Sequence, residues 1–446
     1  MQISATRAFP GRGVWLLRLC IWARRRSRNN EPGFVRDRDP EMSKRDQEGR
    51  TGAVRAGIES DRQYGAVAPP LYLTSNYTFR DIGQPRTYDY TRTGNPTRDL
   101  LGDAIAEQEG GAGGVITASG MAAATLVCQL LKPGDILVAP HDCYGGTYRL
   151  FNALAERGQF QVRFVNQSDQ QALTSALAER PRLVWVESPS NPLLRIVDLR
   201  ALSRLCRLHG ALMAVDNTFL SPALQKPISL GADIVVHSTT KYLNGHSDVV
   251  GGAVVAADPT LHEELAWWAN CLGVTGAPFD SFLTLRGLRT LHARIRLHEE
   301  NARLVVDLLC QHPAVDKVHY PGLASHPGHE IAASQQCGFG GMVSFELHGG
   351  AERAGVFLKQ LQLFSLAESL GGVESLAAHP ATMSHAAMGP EGRRLAGISD
   401  NLVRLSVGIE NPEDLLADLK AGLDKVMHAD ASVPWTEALQ QENRRG

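Results

Sequence analysis

A chain of 446 residues with 43% hydrophobic and 21% charged side chains has a soluble, globular composition, long enough for two or three domains around a large core. A formal charge of −2 leaves no basic field for nucleic acid and no acidic tail, so small-molecule substrates are the default. The seven cysteines are scattered, without a C-x-x-C pair or a disulfide-like spacing, which reads as a reduced, cytoplasmic protein.

Residues 1–41 differ from the rest, with nine arginines against four acidic residues. The apolar run 14–22 is too short to span a bilayer, is broken by Arg18, and precedes Arg24-Arg25-Arg26 rather than a small-residue cleavage site. No membrane association is expected. The leader reads as disordered or spurious, with Met42 opening the functional chain. Residues 42–93 show turn signals at Pro69-Pro70 and Pro85 and little periodicity, and read as an arm that needs another surface to order it.

From residue 113 onward, short β-branched runs alternate with helix-like stretches, the signature of an α/β fold. The runs 113–117, 135–139, 161–165, 183–187, 212–216, 233–237 and 252–256 predict a mostly parallel seven-stranded sheet, covered on both faces, in a large domain over 94–298. In such sheets ligands bind outside the carboxyl ends of the strands. After His298 the pattern changes to an amphipathic stretch over 299–310, proline turns, and strands at 341–347 and 402–408, a smaller C-terminal α+β domain over 299–446. No metal-ligand set stands out, because His292 with His298 and His326 with His329 lack the helical i, i+4 spacing or companion ligands of zinc.

Two strand ends carry the central chemical signal. One run ends in Asp216-Asn217-Thr218 and another continues as His237-Ser238-Thr239-Thr240-Lys241. Pyridoxal 5'-phosphate chemistry needs such a pair: a lysine to form an imine with the aldehyde, and an acid to keep the pyridine nitrogen protonated so that the ring acts as an electron sink. Taken singly, a strand-end aspartate and a loop lysine are ordinary. Ser119-Gly120-Met121, however, opens a helix directly after the first strand, where free N–H groups and the helix dipole can hold a phosphate. The Ser238 and Thr240 hydroxyls can add donors, and Tyr144, in Asp142-Cys143-Tyr144-Gly145-Gly146, offers a ring to stack on the pyridine. In Asp89-Tyr90-Thr91-Arg92-Thr93-Gly94, Tyr90 and Arg92 share one side of an extended segment, and a guanidinium suits phosphate, although a solvated loop would show the same pair. Arg404 is a charge in an apolar strand and needs a partner if buried, either an amino-acid α-carboxylate or a structural salt bridge.

With these motifs the chain resembles the pyridoxal-phosphate enzymes of Cys/Met metabolism, from about Asp61 to Leu423. The resemblance rests on Val186-Glu187-Ser188-Pro189-Ser190-Asn191-Pro192, Ala214-Val215-Asp216-Asn217-Thr218-Phe219, Thr240-Lys241-Tyr242-Leu243-Asn244-Gly245-His246-Ser247-Asp248 and Glu368-Ser369-Leu370-Gly371-Gly372-Val373-Glu374-Ser375. It implies a fold type I PLP-dependent transferase in which Lys241 is the Schiff-base lysine and proton carrier, Asp216 holds the pyridine nitrogen and Asn191 the phenolic oxygen. Gly120, Met121, Ser238 and Thr240 would bind phosphate, Tyr144 would stack on the ring and assist transimination, and Arg404 with Ser369 would receive the substrate carboxylate. The resemblance further implies that Tyr90 and Arg92 reach the phosphate of a neighbouring subunit, which makes the active unit a dimer and the assembly a homotetramer.

Within the family, Ala266-Trp267-Trp268-Ala269-Asn270, Gly273-Val274-Thr275-Gly276 and Ala139-Pro140-His141-Asp142-Cys143-Tyr144 look like the synthases. That implies γ-replacement: an O-acylated homoserine, O-succinylhomoserine foremost, loses its acyl group and L-cysteine adds to give L-cystathionine. Thr93 departs from the pattern, since those synthases carry a second arginine there and γ-lyases a small residue. Arg149, Glu368 and Asp89 remain for the distal part of the substrate, and O-acetylhomoserine or γ-lyase activity on cystathionine stays open. From another class, Ser238-x-x-Lys241 and Ser399-Asp400-Asn401 match two of three serine β-lactamase motifs, but no K-T-G follows. A non-catalytic relative is the remaining alternative, against which stands the full set of chemical residues.

Overall fold

The run Leu183–Glu187 is buried along its whole length, and its side chains alternate between two layers. Leu183 and Trp185 pack with Leu126, Phe151 and Ala214 on one face, while Val184 and Val186 pack with Leu202 and Met213 on the other. Each such side chain contributes about 2–3 kcal/mol of burial, so the strand is held from both sides.

In the computed structural model, which describes residues 49–428, this run is β4 of a seven-stranded sheet. The strands are β1 (Gly113–Thr117), β2 (Ile136–Pro140), β3 (Gln161–Val165), β4 (Leu183–Glu187), β5 (Leu212–Asp216), β6 (Ile234–Ser238) and β7 (Gly252–Ala256), in the order β1-β7-β6-β5-β4-β2-β3. Only β7 runs antiparallel to its neighbours, so the sheet is mostly parallel, as expected. The runs expected at 135–139 and 233–237 lie one residue later, which makes Ser238 the last residue of β6. Helices α1 (Pro96–Glu109), α2 (Gly120–Cys128), α3 (Gly145–Glu156) and α4 (Leu199–His209) cover the sheet. The last shows why the sequence breaks where it does: the Asp198 side chain caps the Ala201 N–H at 2.8 Å, Leu199, Leu202 and Cys206 are buried, and Gly210 ends the helix at φ 70°.

A second, five-stranded sheet follows, made of β8 (Val315–His319), β9 (Met342–Leu347), β10 (Ser365–Leu366), β11 (Leu376–Ala378) and β12 (Leu402–Ser406), in the order β10-β11-β12-β9-β8. Its core joins Phe345, Val403 and Leu405 to Phe357 and Leu419. The boundary expected at 298/299 falls inside one continuous helix, α5 (Leu291–Gln311). Arg294 and His298, which interrupt the apolar pattern in sequence, are buried on that helix and bonded to backbone carbonyls, Arg294 to Tyr242 and Gly287 and His298 to Val407.

The arm expected over 42–93 also divides. Residues 49–73 belong with the two sheets, whereas Thr74–Asn95 falls in a separate compact unit. Within that unit Asn76 bridges Tyr90, the Tyr77 N–H donates to Asp89 O at 3.1 Å, and the Thr91 N–H donates to Ser75 O at 2.9 Å. The extended course expected after Tyr90 is replaced by a turn, because the N–H groups of Thr93 and Gly94 both bond to Tyr90 O, at 3.0 and 3.1 Å. That turn, and not strand alternation, brings the Arg92 guanidinium to 5.6 Å from the Tyr90 ring centre. The leader 1–41 lies outside the described residues, among which no helix is long and apolar enough to cross a membrane.

Candidate active site

Strand periodicity places the first two groups. Trp185 and Ala214 face the layer of α2 and α3, so Glu187 and Asp216, two residues further along β4 and β5, face it too, and the two are register partners. A cavity of about 730 Å³ opens beyond these strand ends. It brings together Tyr144, Asn191, Asp216, Lys241, Ser369 and Arg404, gathered from both sheets.

One corner of the cavity is built for an anion. Ser119 precedes α2 in extended conformation, its Oγ accepting the Ala122 N–H at 3.0 Å while its carbonyl accepts the Ala123 N–H at 3.0 Å. Among the described residues the N–H groups of Gly120 and Met121 are left for a ligand, at the positive end of the helix dipole. A Cβ on Gly120 would stand 2.8 Å from Ser238 Cβ, so glycine is what lets α2 approach β6. Ser238 and Thr240 line the same cavity; the Thr240 hydroxyl accepts the Gly251 N–H at 3.0 Å.

Lys241 lies three residues past β6, and its Nζ donates to Ser369 Oγ at 2.7 Å. Burial, and next the charge of Arg404, lower its pKa to about 8, with Glu368 opposing. Asp216 accepts the Thr218 N–H at 2.9 Å, and burial raises its pKa. A cation against this carboxylate, such as a protonated ring nitrogen, would offset that burial. Arg404, only 3% exposed, donates from Nη1 to Asn191 Oδ1 at 3.0 Å and from Nη2 to Ser369 O at 2.9 Å. Its Nε is buried without a partner, as expected of a donor awaiting an anion. The Asn191 side chain is thereby fixed facing the cavity. Tyr144 is 41% exposed and its ring lies over Gly146, where a Cβ would come within 2.6 Å of Cε1. Burial raises its phenol pKa, with Glu368 acting the same way and Arg149 and Arg404 opposing.

These residues fit pyridoxal 5'-phosphate: a phosphate corner at a helix start, an amine of lowered proton affinity, a buried acid and a planar ring share one cavity. Other expected residues lie elsewhere. Arg149 is exposed on α3 and acts on Tyr144 by its charge without lining the cavity. Asp89, Tyr90 and Arg92 belong to the unit Thr74–Asn95, where Asp89 Oδ1 accepts the Tyr90 N–H at 2.6 Å and the Tyr90 ring is exposed. Ser399 and Asn401 tie the start of β12 to Glu346 and to Leu347 O of β9, so the second half of the β-lactamase match has no part in the cavity.

The sequence reading missed Glu187, although the strand-end rule that finds Asp216 also points to it. Burial and the neighbouring Asp216 charge push its carboxyl up to about 8. It also missed the buried pair of His237 Nε2 and Glu109 Oε1, 2.7 Å apart, whose acid further accepts Asn217 Nδ2 at 2.8 Å. His237 lowers the Asp216 pKa through its charge. No local pattern announces a contact between the end of α1 and β6.

The family model for "Cys/Met metabolism PLP-dependent enzyme" matches residues 50–424. Cystathionine gamma-synthase of Escherichia coli (strain K12) is 60% identical over 373 residues, covering 83% of this chain and 97% of its own length. A solved structure of cystathionine gamma synthase from Xanthomonas oryzae pv. oryzae in complex with cystathionine superposes with a TM-score of 0.84 at 62% identity, covering 85% of this chain and 98% of that one. Cystathionine gamma-lyase of Bacillus subtilis (strain 168) is 45% identical over 377 residues, 84% of this chain and 99% of its own. Similarity of this extent, together with a cavity of matching chemistry, means that the chain belongs to the Cys/Met metabolism PLP-dependent enzyme family, with pyridoxal 5'-phosphate as its cofactor.

Proposed function

We propose that this enzyme joins an O-acylated L-homoserine, O-succinyl-L-homoserine foremost, to L-cysteine, giving L-cystathionine and the free carboxylic acid. The observation that carries the reading is the near-full-length similarity to cystathionine γ-synthases at 60% and 62% identity, against 45% for a γ-lyase. Bound through Lys241, pyridoxal 5'-phosphate supplies the electron sink that makes substrate Cα and Cβ protons acidic.

The chain's own groups do the rest. Arg404 binds the α-carboxylate through the donor it leaves free, and Ser369 is placed to hold either Lys241 or that carboxylate. Lys241, released as an amine with a pKa of about 8, would take the Cα proton, hand it on to the bound cofactor, and as a free amine again take a Cβ proton, at neutral pH without a large uphill step. The acyloxy group leaves Cγ with its electron pair, the cysteine thiolate bonds to that carbon, and the protons return through Lys241. Tyr144 stands where it can exchange protons with an incoming amine, and Asp216 keeps the ring nitrogen charged. Gly120, Met121, Ser238 and Thr240, which line one corner of the cavity, would hold the cofactor's phosphate. Tyr90 and Arg92 extend to the phosphate of a neighbouring subunit in a homotetramer built from two dimers, working in the cytoplasm.

Thr93 favours a second reading, γ-lyase activity on cystathionine. Turnover with O-succinylhomoserine, O-acetylhomoserine and cystathionine, each with and without cysteine, separates the two. Cystathionine formed fastest from the succinyl ester is the expected result, and 2-oxobutanoate from cystathionine as the dominant product would overturn it.

A further inference from the structure

Tyr144 must hold its ring in the cavity although it sits at the start of a helix that lacks a local cap. It precedes α3 with φ −47° and ψ 133°, and no side chain of its own turn bonds to the first N–H groups. The missing acceptor comes from another strand: Glu187, at the end of β4, takes the Tyr144 N–H on Oε2 at 3.0 Å and on Oε1 at 3.2 Å. The Glu187 side chain is itself fixed, buried at 6% exposure, with Oε1 also accepting Trp185 Nε1 at 3.3 Å. Gly146 completes the arrangement, since the ring occupies the space a Cβ would fill. Glu187 is the register partner of Asp216 and lines the same cavity, so the acceptor that holds the Tyr144 backbone is itself part of the wall of the site.

We propose that Glu187 is a positioning residue of the active site: its side-chain oxygens anchor the Tyr144 backbone and thereby set where the Tyr144 ring meets the cofactor. The inference rests on the cavity being the pyridoxal phosphate site, not on which amino acid is turned over.

The test compares wild type, Glu187→Ala, Glu187→Gln, Tyr144→Ala and the Glu187→Ala/Tyr144→Ala double variant. For each, the dissociation constant of pyridoxal 5'-phosphate is measured by equilibrium dialysis, and the visible circular dichroism of the bound cofactor is recorded on the holoenzyme. Glu187→Ala is expected to weaken cofactor binding about 10-fold, the scale of one hydrogen bond, and to reduce the visible band. Glu187→Gln, which keeps an acceptor, should return both to near wild type. With the ring already removed by Tyr144→Ala, the Glu187→Ala change should alter the constant less than about twofold. A Glu187→Ala holoenzyme indistinguishable from wild type, or an effect of full size in the Tyr144→Ala background, would overturn the proposal. If Glu187→Ala does not fold, Glu187→Met, which keeps the volume and drops the acceptor, takes its place. Wild type that binds no pyridoxal phosphate would instead sink the reading of the cavity, and the inference with it.

Discussion

In the seven-stranded sheet the functional groups stand at or past strand ends: Glu187 and Asp216 close β4 and β5, Tyr144 follows β2, and Lys241 follows β6. In the five-stranded sheet the functional group is mid-strand, Arg404 lying between Ala378 and Ser344 in the register of β11, β12 and β9. The difference follows from strand direction. Parallel strands bring their carboxyl ends to one edge, so a site forms there from many elements at once. Antiparallel strands gather no such edge, and the second sheet contributes through one buried cation and the loop that it grips. On the proposed function, the first wall would perform the chemistry and the second wall would orient the substrate.

Removing one group from each wall should separate these contributions. Lys241→Ala is expected to lower kcat by about 10⁴-fold with a much smaller effect on thermal stability, since it deletes a proton carrier and only one part-buried hydrogen bond. Arg404→Lys should act on KM instead. A lysine cannot span Asn191 Oδ1 and Ser369 O with one planar fork and still offer a third donor, so KM for the amino-acid substrate should rise about 100-fold with a smaller change in kcat. Steady-state kinetics on both variants checks the pair. Equal losses in kcat and in kcat/KM for Arg404→Lys would break the division of labour.

The first wall was also the more legible in the sequence. Asp216, Lys241 and Gly120 follow from apolar runs, the polar residues after them and the geometry of parallel sheets, and Arg404 was visible as a lone charge in an apolar strand. Glu187 obeyed the same rule as Asp216 but carried no distinguishing chemistry until its bond to Tyr144 was seen. Where polar residues are buried, pattern reading fails: α5 begins at Leu291, ahead of the amphipathic stretch expected over 299–310, and Arg294 and His298, which interrupt the apolar pattern, bond to buried carbonyls. The Glu109–His237 pair joins residues 128 positions apart, and no periodicity encodes that distance. The segment after Tyr90 was read as extended from side-chain alternation, and local bonds to Tyr90 O decide for a turn.

Two histidines link the walls. His298, on the helix leading to the second sheet, bonds to Val407 O after β12, and His385 bonds to Asn191 O in the loop after β4. Burial is the leading cause that lowers both, to about 4. The unfolded chain holds a proton on each from about pH 6.5 downward, whereas the folded chain refuses it until about pH 4. Stability from these groups is therefore complete above pH 6.5 and falls as pH falls through that window, by about 1–2 kcal/mol per histidine at pH 5. Glu187 works the other way, since its raised carboxyl favours the fold as pH falls from about 8. The informative quantity is thus the difference between wild type and His385→Gln, which keeps a donor for Asn191 O. The urea midpoint of the variant should drop less between pH 7.5 and pH 5 than that of wild type, and parallel pH curves would contradict the assignment.

The smallest expected effect tests how the walls are joined at a single residue. Ser369 holds φ at +86°, a left-handed conformation that costs a residue with a Cβ about 1 kcal/mol. From this position its carbonyl accepts Arg404 Nη2 and its hydroxyl accepts Lys241 Nζ, so one strained residue holds both the group proposed to orient the substrate and the group proposed to carry the proton. Ser369→Gly and Ser369→Ala both delete the hydroxyl, and both should lose about 10-fold in kcat. Only glycine relieves the backbone, so the Gly variant should be about 1 kcal/mol more stable than the Ala variant by urea denaturation, a comparison in which the lost hydroxyl cancels. Equal stability would mean that the backbone at Ser369 is unstrained, and the positive φ would then follow from the loop sequence instead of being imposed by the two contacts.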